Sequence, residues 1–201
     1  MTGDDANDTT ETGDAVPAGR KTGAGRLPGD PDPRRQLARM VRVDHAGEYG
    51  AVRIYEGQMA VLGRGPKAGL LRHMKDQEEQ HLDYFQRQMN HRRVRPTALT
   101  PLWHVMGYAL GAGTALLGER AAMACTVAVE EAIDDHYQEQ ADALGDDEAD
   151  LRETVLRFRD EELEHRDIGL EHEAERAPGY PLLSGAIKAG SRFAIWLSQR
   201  L

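Results

Sequence analysis

The chain has 201 residues, enough for one domain with a sizeable core, and carries 34 Asp and Glu against 25 Lys and Arg, for a net charge of −9. That balance makes nucleic acid an unexpected partner. The single cysteine, Cys125, excludes an internal disulfide and a cysteine-based metal site, fits a reducing compartment, and reads as a small buried helix residue.

Residues 1–32 are rich in Asp, Gly, Thr and Pro and nearly free of large apolar groups, which predicts a disordered acidic tail. Its acidity is wrong for a mitochondrial transit peptide, and it lacks the apolar core of a signal peptide. The folded domain is therefore expected over 33–201. A first helix should run from Pro33 to Leu62 and stop at the Gly63–Pro66 turn. Steps of three and four residues place Leu37, Val41, Asp44, Glu48, Val52, Tyr55, Met59 and Leu62 on one face. Gly47, Gly50, Gly57 and Gly63 lie in or at the end of this helix. An interior glycine costs up to about 1 kcal/mol relative to alanine. Close approach of another helix, room for a ligand, or local tolerance would each account for them.

A second helix is expected from Lys67 to Arg92, with Leu71, Met74, Glu78, His81, Phe85 and Met89 on one face. It ends in a basic cluster, Arg87, His91, Arg92, Arg93 and Arg95. From Pro96 to Gly118 there is no Asp, Glu, Lys or Arg, a stretch of roughly 23 residues and long enough in principle to span a bilayer. Two prolines, several glycines, Trp103 and His104 speak against a span. So does the topology, since a span would put the second and fifth helices on opposite sides of a membrane. The stretch is expected to be an apolar crossover helix, with Trp103 and Tyr108 suited to a membrane interface and the preceding basic cluster to anionic headgroups.

A fourth helix, Glu119 to Leu144, carries Met123, Val127, Glu130, Asp134, Tyr137, Ala141 and Leu144 on one face. Gly145-Asp146-Asp147 forms the turn into a fifth, Glu148 to Arg176, with Leu151, Val155, Phe158, Glu162, His165 and Gly169. A last helix, Tyr180 to Leu201, is too apolar to stand free and should pack on the bundle or face lipid.

The chain holds two Glu-x-x-His patterns, Glu78 to His81 and Glu162 to His165. Residues three apart share a helix face, so each pair aims a carboxylate and an imidazole at one point. A lone glutamate precedes each pair by about 30 residues: Glu48 and Glu130. One Glu-x-x-His is commonplace on a surface helix. Here, however, all four helices put a carboxylate in the middle of the face that should be buried, where an uncompensated charge is expensive. Two divalent cations resolve that cost. The pattern predicts an all-α, ferritin-like four-helix bundle with an apolar crossover helix and an additional C-terminal helix, holding a dimetal site. Asp134 and Tyr137 share the face of Glu130 and are expected to support its ligands; His136 is a weaker candidate for the same role.

Longer motifs add a family resemblance. Val43-Asp44-His45-Ala46-Gly47-Glu48-Tyr49-Gly50-Ala51, Gly111 to Gly118, Met123 to Glu131, and Phe158-Arg159-Asp160-Glu161-Glu162-Leu163-Glu164-His165 resemble the demethoxyubiquinone hydroxylase family. The similarity runs from about Arg34 to Leu201. It implies iron ligands Glu48, Glu78, His81, Glu130, Glu162 and His165, the set reached from spacing. It also implies hydroxylation of a 2-polyprenyl-3-methyl-6-methoxy-1,4-benzoquinol in the penultimate step of ubiquinone synthesis. Two iron ions would use O2 as co-substrate, with electrons from NADH or another external reductant. No glycine-rich dinucleotide fingerprint follows a strand, so no Rossmann domain is expected. The substrate's polyprenyl tail points to a peripheral position on the cytoplasmic face of a bacterial inner membrane, or the matrix face in a mitochondrion. A homo-oligomer and a lipid-presenting partner from ubiquinone biosynthesis are further expectations. The six ligands alone also permit a soluble ferroxidase or peroxidase of the ferritin or rubrerythrin type, and a non-catalytic quinone-binding scaffold is a third reading. The apolar crossover and the absence of rubredoxin-type cysteines weigh against the second, and an intact ligand set against the third.

Overall fold

The computed structural model describes residues 32–201; the acidic tail expected over 1–32 lies, but for Asp32, outside them. Among the described residues the secondary structure is entirely helical: α1 (Pro33–Leu62), α2 (Ala68–Arg92), α3 (Thr100–Leu116), α4 (Glu119–Ala143), α5 (Ala149–Glu171) and α6 (Tyr180–Ser198). Two hairpins, α1–α2 and α4–α5, make a ferritin-like four-helix bundle. Helix α3 crosses between them along α1, and α6 packs mainly along α4. The faces read from three-and-four spacing are the buried ones. Val41, Phe85, Met89, Tyr137, Leu151, Val155 and Phe158 fill one part of the core, and Tyr55, Leu71, Met74, Met123 and Val127 another. Cys125 is among these buried residues, and burial pushes its thiol up to about 12.

Helix α3 sits unusually close to α1. A Cβ on Gly111 would stand 1.9 Å from the carbonyl oxygen of Ile54, and one on Gly57 would stand 2.3 Å from that of Tyr108. Both atoms are backbone, so no side chain can move aside. Of the glycines flagged in α1, Gly57 is there for close approach, while a Cβ on Gly47 or Gly50 would meet nothing within 4 Å. Gly118, at φ +114°, turns the chain sharply from α3 into α4, a conformation that a side chain resists.

The fifth helix is shorter than expected. It stops at Glu171, not Arg176, because Glu173 takes a left-handed conformation (φ 62°) and a 3-10 turn, Ala174–Arg176, follows. Arg120 and Arg176 both pair with the Glu173 carboxylate and pin that turn. Among the described residues no helix is long and apolar enough to cross a membrane.

Candidate metal centre

All six predicted ligands are buried and meet between the four bundle helices. They form two overlapping groups. One holds Glu48, Glu78, His81 and Glu162; the other holds Glu78, Glu130, Glu162 and His165. Within each group the ligand atoms lie within 4.8 Å of one another. Glu78 and Glu162 are common to both. The imidazoles face inward through Nδ1. His81 Nδ1 lies 3.1 Å from Glu162 Oε1 and 3.7 Å from Glu48 Oε2. His165 Nδ1 lies 3.1 Å from Glu78 Oε1 and 3.3 Å from Glu162 Oε2.

The electrostatics are those of a site built for cations. Burial, then the charges of Glu162 and Glu48, pushes Glu78 well above the usual carboxylate range. Burial and the charges of Glu162 and Glu78 do the same to Glu130. Burial would also raise Glu162, but the imidazoles of His165 and His81 beside its carboxylate overcome it and hold it down at about 2. Burial alone would lower His81; Glu162 and Glu48 outweigh it and raise the ring to about 12. Four carboxylates cannot all ionise here without counter-charge. Glu48 Oε2, both oxygens of Glu78, Glu130 Oε2, Glu162 Oε2 and His165 Nδ1 have no hydrogen-bond partner. Orphaned buried atoms of this kind are rare in a folded protein. Here they lie in the two overlapping groups, and a pair of divalent cations with total charge equal to that of the four carboxylates would satisfy them. Carboxylate and imidazole donors suit iron or manganese, and the thiolate that softer metals favour is absent from the group.

The surrounding side chains hold the ligands in place. Tyr137 donates its hydroxyl to Glu48 Oε1, and Tyr55 donates to Glu130 Oε1 at 3.1 Å. His136 Nε2 lies 3.2 Å from Oδ1 of the buried Asp44, one turn before Glu48, and Gln140 donates to Oδ2 of Asp44 at 2.7 Å. Asp134, expected to support the ligands, does not reach them. Its short side chain ends at the half-exposed seam between α4 and α5, where Arg159 Nε donates to it at 2.5 Å.

Residues 35–198 match the family model of ubiquinone biosynthesis protein COQ7. The chain belongs to the COQ7 family. The 3-demethoxyubiquinol 3-hydroxylase of Rhodospirillum rubrum is 63% identical over 185 residues, covering 92% of this chain and 87% of that protein. The human mitochondrial NADPH-dependent 3-demethoxyubiquinone 3-hydroxylase is 57% identical over 172 residues, 84% of this chain and 79% of the relative. The mitochondrial 5-demethoxyubiquinone hydroxylase of Saccharomyces cerevisiae is 42% identical over 182 residues, 82% and 78%.

Some residues of this COQ7-family centre escape a reading by spacing to the nearest ligand. Tyr55 lies on the Glu48 face yet serves Glu130 on another helix. Glu161 and Gln77 flank the ligands on the two Glu-x-x-His helices, and each meets the outer nitrogen of the other helix's histidine. A signal for Tyr55 was present: it follows Glu48 by seven residues, as Tyr137 follows Glu130.

Proposed function

We propose that this chain hydroxylates the ring of a 2-polyprenyl-3-methyl-6-methoxy-1,4-benzoquinol at a diiron centre held by Glu48, Glu78, His81, Glu130, Glu162 and His165. The observation that carries the reading is the buried six-residue cluster with its orphaned oxygens, in a chain of the COQ7 family. Two irons held there would supply the redox chemistry for O2: in the overall reaction one oxygen atom would enter a ring C–H bond and the other leave as water, with two electrons and two protons from an external reductant such as NADH or NADPH.

The chain's own residues do the rest. Glu78 and Glu162, which belong to both groups, would be shared between the two metal ions, Glu48 and Glu130 would each hold one, and the tyrosine hydroxyls fix the orientation of those two carboxylates. The Phe158 ring, 3.9 Å from that of His81, sets the imidazole plane and keeps water away from that side. Such support matters because a small displacement of a ligand changes the geometry of the reacting centre.

The membrane side of the reading rests on α3 and α6. Val105, Met106 and Leu102 on α3 are 62, 54 and 45% exposed, and Phe193 and Trp196 on α6 are 58 and 48% exposed. Trp103 Nε1 donates to Ser198 Oγ and ties the two helices together. Large apolar side chains on neighbouring helices suit a peripheral position, on the cytoplasmic face of a bacterial inner membrane, from which a polyprenyl substrate is drawn. Arg93 and Arg95 stay exposed for headgroups, whereas Arg92 of the same basic cluster is taken up by Glu148.

A quinone profile by mass spectrometry tests the reading. A strain lacking the gene should accumulate the demethoxy precursor. The wild-type chain should restore ubiquinone and Glu162→Ala should not, with loss of bound iron. Restoration by an iron-free variant would exclude catalysis at this centre and favour a scaffold role.

A further inference from the structure

The centre is built on an internal two-fold plan. Tyr55 on α1 follows Glu48 by seven residues and donates to Glu130; Tyr137 on α4 follows Glu130 by seven and donates to Glu48. Gln58 on α1 reaches Thr126, four residues before Glu130; Gln140 on α4 reaches Asp44, four before Glu48. On α2 and α5, each histidine turns Nδ1 to the centre and Nε2 to the residue just before the other helix's Glu-x-x-His glutamate.

Two pairs break the plan. His81 Nε2 meets a carboxylate, Glu161 Oε2, at 2.6 Å, whereas His165 Nε2 meets an amide oxygen, Gln77 Oε1, at 3.0 Å. Asp44 likewise stands where its counterpart is Thr126. Both breaks put the extra carboxylate on the half that holds Glu48 and His81. Arg157 does not cancel the first, because its Nη1 lies 3.6 Å from the other oxygen, Oε1, and its side chain is 60% exposed.

A carboxylate behind a metal-binding imidazole makes the ring a stronger donor than a neutral acceptor does, and such outer partners change metal affinity by about 10- to 100-fold. We propose that the two metal positions are unequal: Glu161, acting through His81, makes the Glu48/His81 position the tighter one, and Gln77 leaves the Glu130/His165 position the weaker. This rests on the dimetal reading above. Glu161 is thus a positioning residue whose acceptor charge, rather than its packing, sets the order of filling.

Stepwise addition of Co2+ to the metal-free full chain, followed by proton NMR, tests this. A histidine bound through Nδ1 shows its Nε2–H far outside the ordinary window. In the wild type one such resonance should grow first and the second only after it, with affinities at least about tenfold apart. Glu161→Gln should move the earlier resonance and abolish its lead, and Gln77→Glu should let the later one catch up. Parallel growth of both resonances in the wild type, or an unchanged order in Glu161→Gln, would overturn the proposal while leaving a dimetal site. Failure to bind two cobalt ions per chain would overturn the dimetal reading itself.

Discussion

Gly111→Ala and Gly113→Ala should have opposite effects although they lie two residues apart on α3. Helical glycine costs about 1 kcal/mol relative to alanine, so each substitution starts with a gain of that order. At Gly113 nothing lies within 4 Å of the new methyl, and the gain should stand. At Gly111 the methyl would be 1.9 Å from the Ile54 carbonyl oxygen and 2.7 Å from its carbon. Real Cβ contacts essentially never fall below 3.0 Å, so α3 must retreat from α1 by about 1 Å along a close-packed seam. Overpacking against backbone belongs at the upper end of the usual 1–3 kcal/mol range, which leaves a net loss of about 2 kcal/mol. For a chain of this size that lowers Tm by roughly 4–8 °C, against a rise of roughly 2–4 °C for Gly113→Ala. Differential scanning fluorimetry at matched metal content reads both. Equal shifts of the same sign would show that α3 is not held against α1 at the distance on which this reasoning depends.

Chelation should destabilise the chain, and Fe2+ or Co2+ at about 1,000 times its dissociation constant should restore about 4 kcal/mol, read as a rise in Tm that Glu162→Ala lacks. Tyr137→Phe and Tyr55→Phe each remove a hydroxyl from a buried end carboxylate and should weaken metal binding by about 10- to 100-fold in a competition titration, with helical content unchanged. Asp134→Asn, by contrast, should leave metal content as it is and change stability by no more than about 1 kcal/mol, because its carboxylate pairs with the partly exposed Arg159 and not with the cluster. Replacing Val105 and Phe193 together by serine should abolish co-sedimentation with anionic vesicles at unchanged Tm; undiminished binding would remove α3 and α6 from the membrane reading.

The buried cluster of six residues was legible because helical geometry converts spacing directly into direction. Glu78 and His81 must share a face wherever the helix lies, and the apolar residues at the same period show that the face is buried. What spacing leaves open is reach between helices. Asp134 and Tyr137 occupy the same stripe, yet only the longer side chain crosses to Glu48 while the shorter ends at Arg159. Gly47 and Gly57 look alike in the sequence, and only the position of α3 distinguishes an open glycine from one pressed against backbone. The premature end of α5 depends on Glu173 adopting a left-handed conformation pinned by Arg120 on another helix, which no local propensity encodes.

The same distinction bears on how the centre works. The six candidate residues repeat at similar intervals in the two halves of the chain, Glu78 following Glu48 and Glu162 following Glu130 by about 30 residues, so spacing alone does not distinguish the two halves of the cluster. The differences lie one layer out, in Glu161 against Gln77 and in Asp44 against Thr126, residues outside both candidate ligand groups. The proposed monooxygenation, which would place one atom of O2 on carbon and release the other as water, treats the two oxygens differently. Unequal ends of an otherwise symmetric site offer a physical basis for that difference. The layer that breaks the symmetry can be altered one residue at a time without touching a ligand, so its contribution is separable from that of the ligands themselves.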